Sequence, residues 1–134
     1  MKTFFITTLS SIIVLLTIDS IWLTLMAQKF YARHIGHLMA ESPNFFVAIP
    51  FYILYVVALA FFVIIPSLEG NFSLSKTFFY GAFFGLAMYA TYDLTNQATL
   101  KGWPTIVTLV DLLWGALLTG TVAVSSLIIN KYFS

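Results

Sequence analysis

The chain has 134 residues, 60% of them hydrophobic and 8% charged, with a net charge of +1. Soluble domains carry about 25% charged residues, so there is too little polar surface here to coat a water-soluble globule, and lipid is the alternative solvent. The near-neutral balance gives no electrostatic basis for binding nucleic acid, and the absence of cysteine excludes disulfides, thiol catalysis and cysteine-ligated metals.

The first apolar segment runs approximately from Phe4 to Ala27. It opens like a signal peptide, MKTFFITTLSSIIVLL, but continues past Asp19, longer than an h-region of ~7–15 residues, and no A-x-A site follows. It reads as a retained membrane span. Gln28 to Asn44 is the longest connection. In it Phe30, Ile35, Leu38 and Met39 interleave with Lys29, Arg33, His34, His37 and Glu41, which predicts a short amphipathic helix at the membrane surface. His34, His37 and Glu41 share one face of that helix and are candidate metal ligands, a pattern that an ordinary solvated face also gives.

The second segment runs from Phe45 to Ile65 and ends in the turn sequence PSLEGNFS. The third runs from Thr77 to Asn96 and the fourth from Pro104 to Ile129. Between them, TLKGWPT puts Trp103 at the interface and Pro104 in the first turn of the fourth helix. Each segment has the ~20 residues needed to cross a bilayer. None alternates with a period of two, and backbone in lipid must satisfy itself, which leaves helices. The expected fold is therefore all-α. It is an integral membrane bundle of four transmembrane helices in one domain, residues 1–134, with the short surface helix between spans one and two. If the spans alternate, Lys2, Lys76 and Lys131 lie on one side and Lys29, Arg33 and Lys101 on the other, a three-to-three tie in the positive-inside count. The short Lys-bearing tail ahead of the first span favours both termini in the cytoplasm.

All three aspartates, Asp19, Asp93 and Asp111, fall inside these spans. Asp19 and Asp93 end helices that run the same way, and Asp111 begins one that runs back. Antiparallel threading therefore brings all three to one side of the membrane, each within ~10 Å of the surface. No Lys, Arg or His lies within the apolar cores, and Lys29 is roughly 15 Å beyond Asp19 along a helix. A carboxylate at mid-bilayer costs ~2.5–3.5 kcal/mol. At least one of the three is thus expected to hold a proton, or the cluster to hold a cation.

Helical spacing gives these carboxyls polar neighbours. Asp93 shares its face with Tyr89, Asn96 and Gln97, Asp19 with Trp22, and Asp111 with Thr108 and Trp114. The candidate polar site is Asp19, Asp93 and Asp111, walled by Trp22, Trp114, Tyr89 and Asn96. A hydrogen-bonded clasp that only holds helices together explains the same residues. The string Asp-x-x-Trp occurs at Asp19/Trp22 and Asp111/Trp114, but on antiparallel helices it is not a simple repeat. Gly81 and Gly85 form G-x-x-x-G, and Gly115/Thr119 is a second small pair, which predicts close packing within one chain.

The strings YATYDLTNQATLKGWP (Tyr89 to Pro104) and TLVDLLWGALLTG (Thr108 to Gly120) resemble a bacterial family of small predicted membrane proteins classed as a domain of unknown function, DUF2177. DSIWL, FYARHIGHL, PFYILY and GAFFGL agree with it, so the resemblance covers essentially the whole chain. It implies one four-helix domain in a bacterial inner membrane and brings no activity or cofactor. The residues themselves support three readings. The first is a proton-coupled handler of a small molecule or ion, in which a path enclosed by so few helices calls for a homodimer. The second is a membrane-embedded enzyme or accessory factor acting on lipid, and the third is a structural subunit.

Overall fold

The computed structural model describes residues 1–134. Helix starts are set locally. Asn44 Oδ1 accepts from the Phe46 N–H at 3.1 Å and opens α3 (Phe45–Leu59). Ser73 Oγ accepts from the Lys76 N–H at 3.1 Å and opens α5 (Leu74–Thr99). Pro104 stands just before α6 (Thr105–Phe133), one position earlier than expected.

α1 (Lys2–Met26) passes through a π-helical segment (Ala27–Tyr31) into α2 (Ala32–Ile35) and a 3-10 turn (Gly36–Leu38). The helix expected after the first span is present and follows α1 without a break, giving a rod of 37 residues. Trp22 Nε1 donates to the Tyr31 hydroxyl at 3.2 Å. On a straight α-helix residues nine apart lie on opposite faces, about 13.5 Å apart along the axis. The rod therefore bends at its π-helical segment, a common place for a kink. The helix stops at Leu38, so Glu41 lies beyond it and the face expected to join His34, His37 and Glu41 does not form. No three His, Asp or Glu side chains in the structure are grouped to hold a metal ion.

α3 continues through a second π-helical segment (Ala60–Ile64) into α4 (Ile65–Glu69). Three rods, Lys2–Leu38, Phe45–Glu69 and Thr105–Phe133, are long and apolar enough to cross a membrane. α5 has 26 residues but is more polar, because its second half carries Thr91, Asp93, Thr95, Asn96, Gln97 and Thr99.

The bundle is apolar outside. Only 29 of 134 residues are buried, and the exposed set is dominated by Phe, Leu and Ile. Buried positions include many small polar residues, as expected where lipid removes the hydrophobic drive between helices and close packing takes over. On the outer faces, the Thr17, Thr24 and Thr121 hydroxyls donate to the carbonyl four residues back at 2.7 Å, so these three do not enter lipid unpaired.

α5 lies antiparallel along α6, and α1 packs on another side of α6. A Cβ at Gly81 would meet Ala123 Cβ at 2.7 Å and the Thr119 carbonyl at 2.9 Å, and one at Gly85 would strike the Gly115 carbonyl. The G-x-x-x-G face thus packs inside the chain. Leu59, Ile64, Leu118 and Val122 form the centre of the core. Near the aspartates α3 stands apart from α5, leaving a groove of about 590 Å³ between them.

Candidate functional site

α1, α5 and α6 each bring one aspartate to the same end of the bundle, and all three are buried: Asp19 is 7% exposed, Asp93 0% and Asp111 6%. Their surroundings differ. Asp19 accepts from the Tyr52 hydroxyl at 2.8 Å through Oδ2 and from Trp114 Nε1 at 3.3 Å through Oδ1. Asp111 Oδ1 accepts from the Tyr31 hydroxyl, which in turn accepts from Trp22 Nε1. Neither oxygen of Asp93 has a donor. Its carboxyl faces that of Asp111 within hydrogen-bonding reach, and no Lys, Arg or His side chain bonds to either.

Two ionised carboxylates cannot hydrogen-bond to each other, since both only accept. One proton between Asp93 and Asp111 resolves the conflict: it gives Asp93 a bond, and it removes one of two like charges from a buried site. The tyrosines and tryptophans supply the remaining donors. This arrangement can hold a proton.

Among the expected wall residues, Trp22 and Trp114 stack between the carboxyls, with ring centroids 4.1 Å apart and planes at 9°. Tyr89 packs its ring against Gly115, where a Cβ would meet Tyr89 Cβ at 2.9 Å. Asn96 sits one turn from Asp93 beside Tyr92, and makes no bond to an aspartate. Gln97 instead reaches the α6 start, its Nε2 donating to Thr105 Oγ1 at 2.9 Å. Trp103, expected at the interface, is buried at 9% exposure, its Nε1 donating to Thr108 Oγ1 at 3.1 Å. His34 Nδ1 lies 2.9 Å from the Phe30 carbonyl oxygen, four residues back along the same rod.

Sequence reasoning missed Tyr31, Tyr52 and Tyr55. A signal was available: with no base near the carboxyls, tyrosine is among the few donors that an apolar segment can carry, and Tyr52 and Tyr55 are three apart on one face of α3. Tyr55 shares a 2.6 Å hydrogen bond with Thr119 Oγ1. A second polar cluster at the other end of the bundle was also missed. There Ser10 and Ser126 share a 2.7 Å hydrogen bond, and Asn130 Nδ2 donates to Thr7 Oγ1 at 3.0 Å, tying α1 to α6.

A helical bundle with an apolar exterior and small polar residues inside is an integral membrane protein, here with a carboxylate centre at one end of the bundle. Over residues 4–128 the chain matches the family described as predicted membrane protein (DUF2177), and it belongs to that family. No curated protein and no solved structure matches it.

Proposed function

We propose that this is a multi-pass protein of the bacterial inner membrane in which the Asp19, Asp93 and Asp111 centre binds and exchanges a proton against a cation, in the service of small-molecule or ion transport. The observation that carries this reading is Asp93, fully buried, without a donor, and facing Asp111. A clasp needs donors matched to acceptors, and Asp93 lacks them. Intramembrane carboxylates of this kind characterise proton relays and ion paths.

The chain would cross four times. α5 is antiparallel to α6 and packs against it from Gly81 to Tyr89, so it crosses wherever α6 does. Its polar residues are gathered at the end that carries the site. Four helices enclose no complete path, so transport calls for a homodimer.

The test uses the purified protein in lipid nanodiscs. Infrared spectra of the parent should show a protonated carboxyl band that Asp93→Asn and Asp111→Asn both lose while circular dichroism is unchanged. Addition of a cation should release protons from the parent and not from Asp93→Asn. A parent without the protonated band would make the centre a clasp of ionised groups and end the reading. A lipid-acting enzyme or accessory factor is the second reading, and the groove between α3 and α5 favours it. Its mark would be a lipid that co-purifies and is chemically altered.

A further inference from the structure

A second groove, of about 400 Å³, lies between α1 and α6 at the opposite end of the bundle from the aspartates. Its lining runs along α1 from Lys2 to Val14 and takes Ile129 and Phe133 from α6. Lys2 is the one charged residue in that lining, and it is exposed. Ser10 is the one other polar residue, and its hydroxyl is already committed, to Ser126 Oγ at 2.7 Å and to the Thr7 carbonyl at 3.1 Å. The groove therefore has a hydrocarbon body and a single cation at its mouth. Lys2 and Val14 are twelve residues apart (14 − 2), about 18 Å along a helix. That is close to the ~20 Å between headgroup and midplane in a bilayer ~40 Å thick. The surroundings of the mouth carry the same sign of charge. Lys2, Lys76 and Lys131 are all exposed at this end of the bundle, and the only acidic side chain there is Glu69.

We infer that this groove seats an acyl chain of an anionic phospholipid, whose headgroup phosphate pairs with the Lys2 ammonium. The site is separate from the carboxylate centre and does not depend on what that centre does. Length and charge decide among occupants. A zwitterionic lipid fills the body equally well, but its own cation competes with Lys2 for its phosphate. A second copy of the chain inserts in the same orientation, so a two-fold contact along this groove brings two Lys2 side chains together. An anionic lipid meets neither obstacle, and a lysine at the membrane surface attracts it. The Lys2 stem can lie along the apolar wall while its ammonium stays at headgroup level.

The experiment titrates phosphatidylglycerol, with phosphatidylcholine in parallel, into the full chain in neutral detergent and counts bound lipid by native mass spectrometry. The parent is compared with Lys2→Gln and with Leu9→Trp, which fills the groove from an exposed position. Lys76→Gln and Leu74→Trp, at the same end but outside the groove, are the controls. The expected result is one phosphatidylglycerol per chain, held about fivefold or more tighter than phosphatidylcholine. Lys2→Gln should remove the preference, Leu9→Trp should remove the binding, and both controls should match the parent. If Leu9→Trp does not fold, Ile13→Trp, also exposed and in the lining, replaces it. Equal loss of preference in Lys2→Gln and Lys76→Gln would reduce the effect to the general charge of this end and overturn the site. Full binding in the groove-filling variant would overturn the groove. Binding of both lipids with equal affinity by the parent would make the seat a neutral one and overturn the anionic occupant. A parent that binds neither lipid and forms a dimer that Leu9→Trp breaks would give the groove to a second copy.

Discussion

Trp22 and Trp114 lie face to face, 4.1 Å apart, and each serves the other's aspartate. Trp114 donates directly to Asp19, and Trp22 reaches Asp111 through the Tyr31 hydroxyl. On antiparallel helices an Asp-x-x-Trp string places one tryptophan outward of its aspartate and the other inward. When the two rings meet at one level, Asp19 falls on the inner side of the stack and Asp111 on the outer side. The register has a second anchor. Ser10 meets Ser126, and both are twelve residues from their stacked tryptophan (22 − 10 and 126 − 114). Two contacts about 18 Å apart fix how α1 lies on α6.

The stack should therefore couple the two tryptophans energetically. Trp22→Leu and Trp114→Leu should each destabilise the protein. Their double-mutant cycle should give a coupling of about 0.5–1.5 kcal/mol, the range of aromatic pairs. Strictly additive losses in thermal unfolding would mean that the rings do not act as a pair.

Much of this centre is legible in the sequence, and what is missed has a physical cause. Asp19, Asp93 and Asp111 reach one end of the bundle through span order alone, a property of topology that needs no side-chain detail. The G-x-x-x-G face is equally local, because Gly81 and Gly85 need only one close neighbour. The Asp-x-x-Trp pair looks accidental from the sequence, since its meaning depends on the register of α1 against α6. Tyr31 is missed because the π-helical bend after Met26 turns it back toward Trp22 and Asp111. An unbroken periodicity gives no sign of that bend, and the helix end at Leu38 that separates Glu41 from His34 and His37 is hidden in the same way.

Gly85→Leu should disrupt packing between α5 and α6. Its Cβ alone would strike the Gly115 carbonyl and lie 2.6 Å from Thr119 Cβ. The expected loss is about 1–3 kcal/mol or more, the usual cost of overpacking. Gly36→Ala is the control, since its Cβ would meet only Ala32 Cβ at an ordinary 3.8 Å. If Gly85→Leu unfolds like the parent and only its oligomeric state changes, the glycine face belongs to an interface between chains.

The Ser10, Ser126 and Asn130 cluster should behave as a plain clasp. Asn130→Ala removes the donor to Thr7 Oγ1, a contact worth about 0.6–1.7 kcal/mol between helices in a membrane. Unfolding in mild denaturing detergent measures that loss. Cation-coupled proton release should be unaffected, and its disappearance would place this cluster in the functional path.

Four crossings, as proposed above, would put both ends of the chain on one side. Reporters fused after Ser134 and ahead of Met1 should give the same compartment signal. Opposite signals would leave α5 outside the membrane and the chain with three crossings.

Asp93 and Asp19 should answer the same substitution with opposite signs. Asp19 uses one oxygen for Tyr52 and the other for Trp114. Asn offers one oxygen and one amide, and the amide would face a donor. Asp19→Asn should therefore lose one hydrogen bond and about 1 kcal/mol of stability, or more if the donor is left unpaired. Asp93 has no donor on either oxygen and faces Asp111. In Asp93→Asn the amide can donate to Asp111, doing permanently what a shared proton does. Stability should hold or rise, while cation-coupled proton release disappears. Thermal unfolding of both variants beside the parent decides the matter. A clear destabilisation by Asp93→Asn would show that Asp93 has a structural partner and would remove the reason for treating it as the proton-carrying member of the centre.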